Sequence, residues 1–314
     1  MYFLGLNNCQ VKFLNNLGKT KVPMFSQISA IILHPVWSYF FVSKSQLNWG
    51  IFGTGVAGVI TNFTNFSFNL IYTYMIDEIK DGVFMPDGRS FQQIGEYFRL
   101  GVPSAFMFAL DVWAGSIVRF ASGYLGVDVQ SAQIILNNIM VLLYMIGSGL
   151  DSAACALVGQ SLGAGDVVLA NKFYQNFKWV SAAIIFLVMI SFYYSCETIV
   201  GMYTTIPGVR QEALSAVGLI VMNIFPDLFK GMLKGVIKAL GIQYKAVYVH
   251  IFCHWGVFVG LTYLFAFHYN LGIAGLWYAK ICLEWSIVSF YTFIIYNSDW
   301  EQIAKDAQER SKRN

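Results

Sequence analysis

The sequence predicts an all-α, multi-spanning membrane protein with about eight transmembrane helices. Three observations carry that expectation. Only 12% of the 314 residues are charged, where soluble domains carry roughly 25%, and the mean hydropathy is +0.57. The apolar residues fall in long blocks, most of which supply the roughly 20 residues that a membrane helix needs. The basic residues alternate from one inter-block segment to the next. A β-barrel does not fit, because barrel strands alternate in hydropathy and run to about 10 residues. The same composition excludes an ordinary water-soluble enzyme, and the chain is not expected to be an enzyme.

The elements follow in order. The first block, "MYFLGLNNCQVKFLNN", lacks a basic n-region and a small-residue cleavage site, so no signal peptide is expected. Spans are expected over 22–42, 52–76, 102–125, 132–158, 176–196, 212–235, 246–268 and 272–296. Polar punctuation such as "DEIKDGVFMPDGRS" and "HYNLG" separates them. Residues 91–100, "FQQIGEYFRL", are expected to lie along the membrane interface, and 297–314 to form a polar helical tail. Sixteen of the twenty Lys and Arg lie on one side of the alternation, with Lys230, Lys234, Lys238 and Lys245 forming one of the groups. Lys44 and Arg210 lie on the other side, and Arg119 and Lys280 fall within spans. The positive-inside rule then puts both termini in the cytoplasm.

The stretch Val158–Asp166, "VGQSLGAGD", is rich enough in glycine to suggest a phosphate loop. A Walker loop requires Gly-Lys-Ser/Thr after its glycines. Here Asp166 and Val167 follow Gly165, so the nucleotide reading fails. Gly159 and Gly163 are expected as small-residue contacts between helices, and Gly165 as a helix stop with Asp166 capping the next helix. The five cysteines, Cys9, Cys155, Cys196, Cys253 and Cys282, are scattered, with no metal spacing, and read as packing residues. An internal repeat is also visible. "NNLGKTK" (Asn15–Lys21) and "GVAGVI" (Gly55–Ile60) in the first two spans correspond to "KALGIQYK" (Lys238–Lys245) and "GIAGLW" (Gly272–Trp277) in the last two. Such repeats are typical of secondary transporters.

These motifs, in order, resemble those of the eukaryotic multidrug and toxic compound extrusion (MATE) transporters. "GSGLDSAACALVGQSLGAGD" is similar to that family's "AASVRVGNxLGAGD" signature. "LDVWAGSIVRFASGYLG" (Leu110–Gly126) resembles its seventh helix, and "FPDLFKGMLKGVIKALGIQ" (Phe225–Gln243) its tenth. "GIAGLWYAK", "SDWEQIAKDAQER" and "FLNNLGKTKVP" complete the set. The resemblance implies that the eight spans are family helices 5–12 and that helices 1–4 are missing. It further implies a remnant of an N-terminal lobe over 1–76, a cytoplasmic linker and interfacial helix over 77–100, a six-helix C-terminal lobe over 101–296 and a cytoplasmic tail over 297–314.

A charge inside a membrane is costly, so an intramembrane acid is read as functional by default. Asp111 and Asp227 are the two such acids that the resemblance matches to proton- or cation-binding carboxylates. The alternatives are hydration near the interface for Asp111 and an i,i+3 pair with Lys230 for Asp227. Pro226 is expected to break the sixth span and free carbonyls toward a cavity. Ser116 and Asn138 stand where the family carries further acids and are candidates to hydrogen-bond a substrate in the cavity; Leu157 and Gln160 stand where it carries Arg and Asn. Asp151 is outside the family pattern; it either faces the cavity or is paired. Lys280 and Glu284, at i,i+4, are expected to neutralise each other, and Arg119 to form a salt bridge. His34, His250 and His254 could relay protons. His250 and His254 share a face at a zinc spacing, but no third ligand is visible, so no metal site is expected. Trp113, Tyr144, Trp255 and Trp277 are candidate aromatic walls for a cation.

The function expected is secondary active antiport. Organic cations, xenobiotics or amphipathic metabolites would leave in exchange for protons or sodium, with no other cofactor and no nucleic acid. The membrane would be plasma or vacuolar/lysosomal. The alternative is a truncated, non-transporting remnant, or a half-transporter that needs its missing helices or a homodimer partner. A lipid-linked sugar flippase is disfavoured, because Arg119 and Lys280 are too few for a pyrophosphate.

Overall fold

The computed structural model describes residues 2–42, 49–79 and 94–313. Among these, all regular structure is helical. The chain divides into two compact units, residues 1–92 and 93–314. Six helices are long and apolar enough to cross a membrane, and a seventh is if one bent pair counts as a single span.

The first unit holds α1 (Tyr2–Asn16), α2 (Lys21–Val42) and α3 (Gly50–Met75). Length supports α3 as a span, while Asn62, Asn65 and Asn69 lower its hydropathy. Those polar residues are used in packing. Asn69 Nδ2 donates to Asn7 Oδ1 at 3.0 Å, Ser26 bonds Asn65, and His34 Nδ1 meets Thr61 Oγ1 at 2.9 Å. In an apolar surround each unpaired polar group costs several kcal/mol or more, so these pairs fix the register of the three helices.

The second unit begins with α4 (Ile94–Ser122), followed by α5 (Val127–Gly163) and α6 (Val167–Tyr203). The expected interfacial segment is a point of difference. Its described residues, 94–100, run without a break into α4, since Gly101 and Pro103 are both compatible with a helical turn at this point. Helices α5 and α6 have 37 residues each, about 55 Å at 1.5 Å per residue. The expected spans 132–158 and 176–196 are the middles of these longer rods. Next come α7 (Pro207–Ser215) and α8 (Val217–Ala239), bent by 51° relative to each other. The bend falls at Ala216, and α8 passes through Pro226 unbroken, contrary to the expected break. Pro226 removes one backbone N–H and no more.

Helix α9 (Gln243–His268) is α-helical at its start and π-wound over Phe252–Phe258 and Tyr263–His268. Helices α10 (Gly272–Tyr296) and α11 (Trp300–Arg313) complete the unit. Asp299 Oδ1 accepts from Gln302 N at 3.0 Å and caps the tail helix.

Helix α8 is the axis of this unit. Ile224, Leu228, Met232, Leu233, Val236 and Ile237 are fully buried, against α5, α6 and α10. The later turns of α8 are buried nearly all round, which needs close approach somewhere, and glycines supply it. A β-carbon on Gly231 would lie 2.6 Å from the Gly147 carbonyl oxygen of α5, and one on Gly235 would strike the Asp151 carbonyl. The expected contacts at Gly159 and Gly163 are therefore displaced. Gly159 only touches Ala239, and Gly163 faces open space. The end of α5 is as expected: Gly165 has φ +79°, and Gly165 N and Asp166 N bond the Leu162 and Ser161 carbonyls at 3.0 Å. That is a Schellman stop, after which Asp166 caps α6 by accepting from Leu169 N.

Candidate functional site

The sequence of α8 reads Lys230-Gly231-x-x-Lys234-Gly235-x-x-Lys238. A four-residue step keeps each residue type on one stripe of a helix. The glycine stripe faces α5. The lysine stripe, one residue earlier, faces acids from three other helices and from α8 itself. Lys230 Nζ lies 2.6 Å from Glu284 Oε2 of α10 and 3.2 Å from Asp227 Oδ1. Lys234 Nζ lies 3.7 Å from Asp111 Oδ2 of α4. Lys238 Nζ donates to Asp151 Oδ2 of α5 at 2.7 Å.

Lys230 and Lys234 are buried, which corrects their assignment to a cytoplasmic loop group. Moving them into the bundle leaves the charge asymmetry of the loops intact. The expected pairing of Glu284 is corrected as well. Its partner is Lys230, while Lys280 lies over the Trp277 ring, 5.0 Å from the centroid. Asp227 does form the i,i+3 pair with Lys230 that was its alternative reading. Asp151 is paired, with Lys238.

Asp111 is the meeting point of three helices. His254 Nε2 and His250 Nδ1, both from α9, lie 2.9 and 3.1 Å from its Oδ1. These are ion-pair distances off the line of a straight N–H···O bond, as befits one oxygen shared by two rings. The rings are stacked, with centroids 5.1 Å apart. On their far sides, His250 Nε2 bonds the Tyr291 hydroxyl and His254 Nδ1 lies 3.0 Å from the His250 carbonyl oxygen.

That last contact fixes a proton. A carbonyl oxygen only accepts, so His254 Nδ1 carries the hydrogen. In a neutral ring Nε2 is then a lone pair, and it would face a carboxylate oxygen at 2.9 Å. The contact is favourable only with a further cation between them. Either the ring is an imidazolium beside a carboxylate, or Asp111 carries the proton and donates it.

The same three side chains are the one His/Cys/Asp/Glu group among the described residues whose ligand atoms, within 4.8 Å of one another, could hold a metal ion. The third ligand that the sequence did not reveal is Asp111. Two imidazoles and a carboxylate suit zinc, and the second contacts of both rings are of the orienting kind. The Lys234 ammonium on the other oxygen of Asp111 opposes a dication there.

A cavity of about 350 Å³ adjoins this cluster, lined by Asp111, Asp227, Lys230, His254 and Glu284 together with Arg119 and Lys280. Tyr144 also lines it; Asn138, Ser116, Trp113 and Asp151 do not. Asn138 is exposed and its neighbour Asn137 takes the lining place, because one residue turns a helix by about 100°. Ser116 is occupied locally, donating to the Val112 carbonyl and accepting from Arg119, and Arg119 makes no salt bridge of the expected kind among the described residues. Trp113 is exposed against Phe106. Trp255 is exposed and Trp277 is buried beneath Lys280.

Apolar helices of spanning length around a buried ion cluster and a polar cavity define a multi-pass membrane protein. The MatE family profile matches residues 103–264, just over half of the chain, and the chain belongs to that family. It is 28% identical over 309 residues to human "Multidrug and toxin extrusion protein 1", covering 95% of this chain and 52% of that protein. It is 23% identical to Arabidopsis thaliana "Protein DETOXIFICATION 34", covering 100% and 57%. The chain thus spans about half the length of the curated relatives it matches. The fold matches the crystal structure of the eukaryotic MATE transporter AtDTX14 with a TM-score of 0.89 at 22% identity, over 96% of this chain and 67% of that one.

Proposed function

We propose that this chain works in a secondary active antiporter that exchanges protons for amphipathic organic solutes. The observation that carries the reading is the His254 ring, held between a carbonyl oxygen and the Asp111 carboxylate at 3.0 and 2.9 Å. That arrangement calls for one more positive charge at the site, and a proton, carried by His254 Nε2 or by the Asp111 carboxyl, fits it. Sodium finds a poorer ligand set, since nitrogen lone pairs and a nearby lysine replace the oxygens that hard cations require.

Asp227 has a different role from Asp111. Its carboxylate is already neutralised by Lys230, so it positions that lysine for Glu284. The working cycle is then a competition at Asp111. With the proton aboard, the Asp111–His254 contact is closed and α4 is held to α9. Loss of the proton leaves two acceptors facing each other and favours separation of the helices, which is the differential contact that alternating access requires. The relatives named for multidrug and toxin extrusion support transport as the activity, and organic cations and xenobiotics are the solutes expected from the family resemblance. The loop charges support cytoplasmic termini.

The test is a pH-gradient-driven flux in proteoliposomes, with an organic cation and an organic anion of matched size, so that coupling is judged apart from the solute. Asp111→Asn and His254→Gln are expected to abolish the dependence of flux on the pH gradient. Retention of full pH-driven flux in both variants refutes the proton assignment.

A further inference from the structure

The charges lining the cavity do not cancel evenly. Each acid has its cation within ion-pair distance. Asp111 has His254, His250 and Lys234; Asp227 and Glu284 share Lys230. The bases are not all matched in return. Arg119 Nη2 donates to the neutral hydroxyl of Ser116 at 2.9 Å. Lys280 rests over the Trp277 ring, 5.0 Å from its centroid. Neither forms an ion pair with an acid among the described residues, and both are half-buried at the cavity wall.

Counting the whole cluster gives the same sign. Three acids line the cavity, Asp111, Asp227 and Glu284. Against them stand Arg119, Lys230 and Lys280 in the lining and Lys234 just behind Asp111. The proton that His254 and Asp111 share adds one more. The balance is positive, and Arg119 and Lys280 are the lining bases with no ion pair among the described residues, Lys280 feeling Glu284 only at longer range. A half-buried charge with no ion-pair partner gains from a counter-charge, so an anion suits this cavity.

The rest of the wall says what kind of anion. Phe108, Val112, Met140, Val141 and Phe258 supply an apolar surface, and Tyr144 an aromatic face with a hydroxyl. The volume, about 350 Å³, is at the lower end of ligand-sized pockets, which run from about 300 to 1,000 Å³. Arg119 stands on α4 and Lys280 on α10, so an anion that met both would link the helix of Asp111 to the helix of Glu284.

We propose that this cavity binds an amphipathic organic anion, a carboxylate or sulfonate on an aromatic body, with Arg119 and Lys280 as its charge partners. This rests on the reading of the cavity as the solute site and departs from the organic cation expected from the sequence. An organic cation would have to displace a lysine or an imidazolium from every acid it approached. It would also add to the surplus positive charge.

Equilibrium binding tests this without any gradient, and so apart from proton coupling. The 314-residue chain in lipid nanodiscs is dialysed against radiolabelled 2-naphthalenesulfonate, or against radiolabelled N-methylquinolinium, a cation of the same size. The sulfonate is expected to bind at least about tenfold more tightly than the quinolinium. Lys280→Gln and Arg119→Gln should each weaken sulfonate binding by about tenfold, while Lys280→Arg and Arg119→Lys, which keep the charge, should retain it. The charge-keeping pair also separates loss of a charge from loss of the fold. Quinolinium binding equal to or tighter than that of the sulfonate, absence of sulfonate binding, or sulfonate binding unchanged in both Gln variants overturns the proposal. If instead Asp111→Asn leaves pH-driven flux intact while sulfonate binding behaves as expected, the proton assignment fails and the anion site stands.

Discussion

The two units bury polar groups in opposite ways. In the first, the buried polar residues described are neutral: Asn7, Ser26, Asn65, Asn69 and Thr73; Asn7–Asn69 and Ser26–Asn65 bond across three helices, and Thr73 donates to the Asn69 carbonyl within α3. In the second they include Asp151, Asp227, Lys230, Lys234, His250, His254 and Glu284. Neutral pairs hold helices in register at modest cost and have one stable arrangement. Charged clusters are expensive, and their pairing depends on a proton or a partner. The contrast separates a region whose polar groups only fix packing from one whose polar groups can change state.

The comparison is strongest at Lys230, which serves two acids. Lys230→Met strands Asp227 and Glu284 as buried charges, and should cost about 3–5 kcal/mol, seen as a fall in the unfolding midpoint in detergent or bicelles. Adding Asp227→Asn and Glu284→Gln should restore most of it, since a neutral site no longer needs the lysine. A smaller effect tests the approach of α8 to α5. Gly235→Val places a side chain against the Asp151 carbonyl and should cost about 1–3 kcal/mol by overpacking; the same assay reads it, and it should also loosen the Lys238–Asp151 pair on the adjoining turn. The smallest effect belongs to the first unit. Asn69→Leu removes the bond to Asn7 and should cost about 1 kcal/mol, with sulfonate binding in the second unit unchanged. If Asn69→Leu proves as costly as Lys230→Met, the contrast between neutral and charged burial collapses.

Much of the fold was legible in the sequence, because block length and hydropathy report directly on helices that must satisfy their own backbone. The repeat was legible for a local reason. "NNLG" and "KALG" both end in the same stop: Gly18 and Gly241 have φ near +70°, and Gly18 and Lys19 make the same backbone bonds, to the residues three and five back, as Gly241 and Ile242. The site was legible in part. Asp111 and Asp227 stood out as charges in apolar blocks. Lys230 and Lys234 did not, because lysines near the end of a span look like the positive-inside flank of a loop. The four-residue interleaving of Lys and Gly in Lys230–Lys238 was the available signal that these lysines face inward. The junction of Asp111 with His250 and His254 was not readable at all, since it depends on how α4 packs on α9. The π winding that carries His254 leaves no mark in hydropathy.

The lysine stripe of α8 also has an order in time. A chain made from its N-terminus presents Asp111 and Asp151 before α8 exists, so Lys234 and Lys238 find their acids waiting. Glu284 arrives only with α10, after Lys230 has already left the ribosome. Asp227, three residues ahead on the same helix, is the acid within ion-pair distance that can shield Lys230 during that interval, since a lone ammonium in an apolar surround is costly. On this view the Asp227–Lys230 pair is a placeholder, present from the moment α8 forms, that lets the helix settle before its last partner is synthesised.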